Sequence, residues 1–304
     1  MTLEQLTCEH YSRLKPFFAE QAHRLCAYSL PSIIAWQTCF FQPQFAVEDD
    51  WLVVAAEFFK HRERRHLLLP LSPGKVPEPA ALHRLAVRLG FDAYWFVPED
   101  YVALQGRSVL ERYFTVSEQD GFHDYIYRRL DLAELPGRHF HKKRNLISQF
   151  TETYEETGRS RLESIHPEDV ADCIAFLDRW CEMRDCGVED QEDDLTCEKL
   201  AAVNALENLS KVEGQGLLVR VDGKVSAMAV SGPLTAEMGV LMFEKAFPDI
   251  KGLYQYLDRA CARQLFGQLP LINKESDMSL PGLAQAKHSY HPLTLVKSYA
   301  LTVR

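Results

Sequence analysis

The sequence predicts a mixed α/β protein made of two tandem domains, each organised around its own sheet. Three observations carry this prediction. Helix-like and strand-like stretches alternate along all 304 residues, the apolar spacing switching repeatedly between the helical period and a period of two. That length suits two domains of ordinary size. The second half reads strand, two helices, three strands, helix, strand, helix, strand, and the first half follows a shortened version of the same order. No repeat is visible in the letters themselves. The boundary is expected at 122/123, giving domains 1–122 and 123–304.

Taken in order, residues 10–28 carry Leu14, Phe17, Phe18, Ala22 and Leu25 at helical intervals and predict one amphipathic helix. Pro31 opens a short helix with Ile33, Ile34 and Trp36. Residues 50–59 and 65–71 read as strands joined by a charged turn. Pro79 starts a helix that Gly90 ends, and 91–97 is a strand. Residues 107–122 close on Ser-Glu-Gln-Asp-Gly and form a connector.

In the second half, 125–130 is a strand leading into a basic helix. Residues 161–165 form a strand, and Pro167 sits in the first turn of a helix reaching about Met183. A helix covers 196–210. Strands follow at 216–221, 225–230 and 237–243, and Asp222-Gly223 is the strongest hairpin signal in the chain. Then come a helix at 252–266, a strand at 269–273, a helix at 282–290 and a final strand at 293–303.

Composition excludes several classes. Hydrophobic content of 46% with 25% charged residues is that of a globular protein with ample core. The first residues have neither a basic n-region nor an apolar h-region, and no run approaches the ~18 apolar residues of a membrane span, so a cytoplasmic protein is expected. A net charge of −9 disfavours broad nucleic-acid binding but leaves room for one local basic pocket. The eight cysteines read as reduced thiols. Cys173 and Cys181 share helical spacing with Phe176, Leu177 and Trp180 and belong to a core. Cys186 and Cys197 flank an acidic loop without zinc spacing, so no metal site is expected.

The residues that carry chemistry cluster in two places. From Arg138 to Arg144, six of seven residues are Arg, Lys or His. Phe140, Ile147 and Phe150 fall on one helical side; His141, Arg144, Asn145 and Ser148 fall on another. Cations in a first turn oppose the helix dipole, which points to an anion held by Arg138, His141, Lys142, Lys143, Arg144 and Asn145. The plainer alternative is a solvated basic face against acidic neighbours of the same chain.

Nearer the C-terminus, Glu244 ends an apolar strand and is either a base or amine ligand, or a carboxylate capping the next turn. Asn273, Glu275 and Asp277 alternate after apolar residues, so a period of two would aim all three together. Capping the helix near Pro281 needs only one of them. Lys287 and Tyr290 lie three apart on the last helix. The acidic run 189–194 either attracts a cationic substrate or is simply solvated.

Gly137-Arg-His-Phe-His-Lys-Lys-Arg-Asn145 with Ile147 and Phe150, and the run from Ile272-Asn-Lys-Glu-Ser-Asp to Lys287-His-Ser-Tyr-His-Pro292, resemble the two signatures of the bacterial DUF2156 family. That family is similar to the C-terminal synthase domain of phosphatidylglycerol lysyltransferases. Cys26-Ala-Tyr-Ser-Leu with Trp36 fits as well, so the likeness spans nearly the whole chain. It implies two tandem acetyltransferase-like (GNAT) domains, with the site in the second, where two central strands splay beside the following helix. The first domain would be a degenerate scaffold or channel wall, since Ser72-Pro-Gly-Lys-Val-Pro-Glu-Pro places proline where phosphate-binding N–H groups are needed.

The family pattern carries Asn273, Glu275, Asp277, Gly282, Lys287, Tyr290 and Pro292 over position by position. Ser279, Pro281 and Ala284 depart from it, standing where the family has Gly, an acidic residue and Arg. At the splay, only Gly252 remains of a glycine-rich CoA loop, followed by the bulky Tyr254. The resemblance therefore implies an acyl or aminoacyl transferase acting on an amine or hydroxyl of a small molecule or lipid headgroup, with aminoacyl-tRNA or acyl-CoA as donor. Glu244, Glu275 and Asp277 would serve catalysis, and Lys143 with Arg144 would hold donor phosphates. An acetyl-CoA-dependent N-acetyltransferase and a non-catalytic anion-binding protein are the alternatives.

Overall fold

The computed structural model describes residues 1–38, 41–59, 61–184 and 194–304. The first half runs β1 (Glu4–Gln5), α1 (Tyr11–Ala19), α2 (Leu30–Ala35), β2 (Phe41–Glu48), β3 (Trp51–Phe58), β4 (His66–Leu67), α3 (Pro79–Leu89), β5 (Ala93–Pro98), α4 (Glu99–Gln105), α5 (Arg107–Leu110) and β6 (Phe114–Glu118). After these come β7 (Asp124–Arg128), α6 (Arg129–Glu134), α7 (His141–Phe150), β8 (Ser160–Ser164), α8 (Val170–Glu182), α9 (Asp194–Glu207) and β9 (Gln215–Val221). The chain closes with β10 (Lys224–Thr235), β11 (Met238–Ala246), α10 (Leu253–Gln264), β12 (Leu271–Asn273), α11 (Pro281–His288), β13 (Thr294–Val296) and β14 (Ser298–Val303).

Local chemistry accounts for most of these limits. Pro79 occupies the first turn of α3, and Gly90 ends the helix at φ 70°, a conformation costly for any residue with a Cβ. Asp222 and Gly223 both take positive φ in the two-residue turn between β9 and β10. Cys173, Phe176, Leu177, Trp180 and Cys181 form the buried stripe of α8, as their spacing predicts. The expected helix 10–28 stops at Ala19. The Gln21 side chain accepts from His23 N–H (2.5 Å) and donates to the Leu234 carbonyl (2.7 Å), turning the chain away.

Three strands escape the sequence pattern, the two-residue β1 among them. In β2 the run Gln42-Pro43-Gln44 breaks the apolar alternation, yet its backbone pairs with β1 and β3. The stretch expected to be a connector, 107–122, contains α5 and β6. The acidic run 189–194 lies outside the described residues except for Asp194, which begins α9.

Each sheet has seven strands. The first is ordered β1-β2-β3-β4-β5-β14-β6 and the second β13-β7-β12-β11-β10-β9-β8. Each contains one parallel junction, β4 with β5 and β11 with β12, in an otherwise antiparallel arrangement. The stretch 293–303, expected to be a single strand of the second domain, breaks at Lys297. Its first part, β13, forms the edge of the second sheet, and its last part, β14, lies between β5 and β6 in the first. β7 leaves the edge strand β6 and enters the second sheet between β12 and β13. Only β14 crosses over: the last strand of the chain completes the sheet built by its first half, whereas β7 opens the second sheet.

Removing residues 298–304 should therefore damage the first sheet, not the one nearest in sequence. In hydrogen exchange, amides of β5 and β6 should lose protection while β9 to β11 keep theirs. Equal loss in both sheets, or none in the first, would contradict this arrangement.

Candidate active site

Beyond Val240, the last residue of β11 paired with β12, the two parallel strands diverge. A bulge at Met242 accompanies the divergence: Val230 faces Phe243, whereas Ser231 faces Leu241. β11 continues to Ala246 while β12 ends at Asn273. The wedge that opens is filled by charge. Lys274 Nζ donates to Asp258 Oδ1 of α10 (2.7 Å) and pairs with Glu244 Oε2 (3.1 Å). The side chains of Lys274, Glu244 and Asp258 are only 13%, 14% and 4% exposed. Asp258 Oδ2 makes no hydrogen bond of ordinary geometry among the described residues.

Two carboxylates around one ammonium in a dry setting cannot both ionise easily. Burial pushes Glu244 up to about 7, against the opposing pull of Lys274. Lys274 is held charged, because Asp258 and Glu244 outweigh its desolvation. Tyr290 lies beside Asp258 and Glu244, and burial with these carboxylates pushes its phenol well up. Lys143 of α7 reaches over this ring, its Nζ 3.6 Å from the centroid, and donates to Ser289 Oγ (2.7 Å). Burial lowers the Lys143 pKa.

On the other side of β12 a second polar group forms. Asn273 is fully buried; its Nδ2 donates to Asp124 Oδ2 (2.7 Å) and to the Arg24 carbonyl (2.8 Å). Asp124 also accepts from Cys26 N–H at 2.5 Å, and burial raises its pKa. Glu275 follows with φ 58°, and burial pushes it up to about 8 although Lys287 opposes this. Lys287 Nζ donates to the carbonyls of Lys274 (2.5 Å), Glu275 (3.0 Å) and Ser276 (2.6 Å). Beyond the mouth of the wedge, Lys245 pairs with Glu198 (2.7 Å) and lies over Trp180. Burial raises the Tyr254 hydroxyl to about 12, helped by Glu244.

The strand-like alternation expected for Asn273, Glu275 and Asp277 does not occur, since β12 ends at Asn273 and Glu275 turns left-handed. Asn273 faces Asp124, and Asp277 accepts from the Tyr125 hydroxyl (2.6 Å) and from Ser279 N–H (2.9 Å). In the basic helix, Phe140, Ile147 and Phe150 are buried, while Arg138, His141, Lys142 and Asn145 stand in solvent. Arg144 instead turns back, donating to the carbonyls of Leu135 and of Gly137 (2.8 Å). Gly252, at φ 84° ahead of α10, lies directly under the Leu146 carbonyl of α7, so a Cβ there would collide with that oxygen. α7 therefore packs closely against the N-terminal end of α10.

Lys274, Asp258, Asp124 and Tyr127 were not singled out by the sequence reading. Lys274 sits inside the quoted Ile272–Pro292 run, and Asp258 is an acid on an otherwise apolar helical face, which was a usable signal. In the first domain the equivalent wedge is closed. Leu69 N–H, just past β4, donates to the hydroxyl of fully buried Tyr28 (3.3 Å). A groove of about 300 Å3 in that domain, lined by Trp51, Val53, Pro70, Leu82 and Arg88 among others, contains none of these groups. Among the described residues one carboxylate–histidine triad, Glu118, Asp120 and His123, has metal-like spacing, but Glu118 already pairs with Lys297 (2.7 Å). No described helix is long and apolar enough to cross a membrane.

Lys274→Met should leave two buried carboxylates without their cation and destabilise the fold by about 3–5 kcal/mol at pH 8, less at pH 5 where Glu244 is protonated. Urea unfolding at both pH values measures this, and a pH-independent loss would contradict the network. A second expectation concerns Glu275, whose folded pKa lies above its unfolded one. The stability it contributes is complete below about pH 4.5 and is lost as pH rises through about 8. Glu275→Gln should therefore lose less stability than the parent between pH 5 and 8, by roughly 1–3 kcal/mol. Parallel losses would place Glu275 in solvent.

Comparison with known proteins agrees with this architecture. The family model described as phosphatidylglycerol lysyltransferase, C-terminal, matches residues 95–302. A conserved protein of unknown function from Bacteroides thetaiotaomicron superposes over 100% of both chains, with TM-score 0.89 and 28% identity. The C-terminal DUF2156 domain of a putative lysylphosphatidylglycerol synthetase from Agrobacterium fabrum covers 96% of this chain and 91% of its own, with TM-score 0.64 and 12% identity. FemX covers 100% of this chain and 98% of its own, with TM-score 0.59 and 10% identity. No curated protein matches. The fold is GNAT-like, and the chain belongs to the phosphatidylglycerol lysyltransferase C-terminal family.

Proposed function

We propose that this member of the phosphatidylglycerol lysyltransferase C-terminal family transfers an activated aminoacyl group to an amine or hydroxyl acceptor in the wedge between β11 and β12. Membership supports the coarser statement, an acyl or aminoacyl transferase-like protein. The observation that carries the finer one is a pair of largely buried glutamates, Glu244 near the end of β11 and Glu275 just past β12, both raised into the neutral range by burial.

Acyl transfer to an amine or alcohol needs a base for the acceptor proton and a cation or donors for the developing oxyanion. Glu244, near 7, is partly ionised at neutral pH and can take the proton. Glu275, near 8, is mainly protonated there and can donate a hydrogen bond. Lys274 supplies fixed positive charge in a water-poor wedge without needing to move. Asp277, tied to Tyr125 and Ser279, shapes the loop that carries Glu275.

The exposed Arg138, His141 and Lys142 give the mouth a cationic rim fitted to donor phosphates, with Asn145 beside them. Arg144 and Gly252 contribute through packing, and Lys143 bridges the rim to Tyr290. An aminoacyl-tRNA donor suits this arrangement better than acetyl-CoA, because α7 covers the terminus of α10 that a pyrophosphate would use. The acceptor is a small molecule or a lipid headgroup, met by a protein that works in the cytoplasm. The first domain, its wedge plugged by Tyr28, serves as scaffold.

The test is transfer from aminoacyl-tRNA to phosphatidylglycerol and to small amines, set beside acetyl-CoA turnover. Glu244→Gln should reduce kcat/KM by about 10²–10⁴-fold and abolish a rising pH limb near 7. Arg138→Ala with Lys142→Ala should raise KM for the donor and weaken its salt dependence. Efficient turnover of acetyl-CoA alone would overturn the aminoacyl reading.

A further inference from the structure

The chain after β12 does something a strand cannot. Carbonyls of successive residues in an extended strand point alternately to opposite sides. Yet those of Lys274, Glu275 and Ser276 all converge on one atom, Lys287 Nζ, at 2.5, 3.0 and 2.6 Å. Convergence requires the backbone to leave strand geometry, and it does so at Glu275, with φ 58°. A residue with a Cβ adopts that conformation only when its surroundings enforce it. Three donors in tetrahedral array, all used on carbonyls, are such an enforcement. They also leave the ammonium no donor for a substrate anion.

We propose that Lys287 is a positioning residue, whose ammonium holds this loop left-handed and so keeps the Glu275 carboxyl in its buried place just past the end of β12. The neighbours anchor both ends of the device. Glu275 N–H donates to Asn273 Oδ1 (2.6 Å), fixing the start of the loop. The Tyr127 hydroxyl donates to the Lys287 carbonyl (2.8 Å), fixing the end of α11. The charged and titratable groups facing Glu275 are Lys287 on α11, Asp124 on β7, Glu198 on α9 and Lys245 on β11, and Cys26 senses both Glu275 and Lys287. Arginine cannot replace this lysine, since a planar guanidinium does not offer three donors converging from one nitrogen.

This inference deepens the reading in which Glu275 serves the acceptor, and its test needs no substrate. Carboxyl 13C NMR of Glu275 is followed against pH in the parent, Lys287→Arg and Lys287→Ala. The direction of the shift decides. If Lys287 were only a nearby charge, its loss would raise the Glu275 pKa from about 8, and arginine would keep it there. If Lys287 positions the loop, both variants release Glu275 toward solvent and its pKa falls by at least one unit. Propylammonium should restore the high value in Lys287→Ala, and tetramethylammonium should not. A rise, or no change in Lys287→Arg, overturns the proposal; Lys287→Arg answers alone if the alanine variant does not fold. Absence of transfer activity in the parent, together with the expected fall of the Glu275 pKa in Lys287→Arg, would count against the transferase reading and leave the positioning role intact.

Discussion

Asp124 is buried where the chain leaves the first sheet for the second, and its carboxylate joins three segments far apart in sequence. It accepts from Cys26 N–H of the first domain and from Asn273 at the end of β12, and it begins β7 itself. A buried carboxylate persists only when its lone pairs are satisfied. The satisfaction here comes from both halves of the chain, so neither half completes this polar group alone. The placement of β14 in the first sheet makes the same demand on the scale of a whole strand. Edge strands ordinarily risk pairing with other chains, and the insertion of β14 beside β5 makes β5 an interior strand of the first sheet.

Two sheets of the same plan offer two wedges, and their contents differ in kind. The first is sealed by a buried tyrosine whose hydroxyl accepts from Leu69 N–H, the type of backbone donor that would otherwise meet a ligand. The second holds Lys274 between two carboxylates, with Tyr290 beside Asp258. A neutral plug makes a stable wall. A buried charged network is a poor way to gain stability, because well-packed apolar groups would serve at least as well. Its place at the open end of diverging strands argues for chemistry over architecture.

How much of this was legible follows from which signals are local. Pro79 with Gly90, and Asp222-Gly223, act through their own φ angles, so those boundaries could be read from neighbouring letters. The basic helix was legible as a helix with the correct buried side, since periodicity reports burial. What its cations do was not: Arg144 closes a turn and Lys143 covers a ring, roles fixed by residues as distant as Tyr290. Pairing of β14 with β5, some two hundred residues away, leaves no local trace, so 293–303 read as one strand. Glu244 stood out as an acid ending an apolar strand, but Lys274, flanked by more conspicuous polar residues, did not. The convergence predicted for Asn273, Glu275 and Asp277 assumed that the strand continued, and a lysine one helix away ended it.

The charge pattern around the wedge has a direction. Arg138, His141 and Lys142 stand in solvent on and just before α7, their neighbour Lys143 lies half-buried over Tyr290, and the carboxylates of Glu244 and Asp258 are largely buried. Exposed cations act at long range but weakly, screened within about 8 Å at physiological salt. Buried carboxylates act only at contact, yet strongly, because little water competes. A substrate with a phosphate at one end and an ammonium or nucleophilic amine at the other would be drawn in by the rim and oriented by the interior. Reversed, it would meet repulsion at both ends. In the proposed reading, α7 can cover Gly252 without closing the site, because side chains outside the helix would meet the anion in place of backbone beneath it. Specificity would then rest on the distance between rim and carboxylates, a length set by how α7 packs on α10.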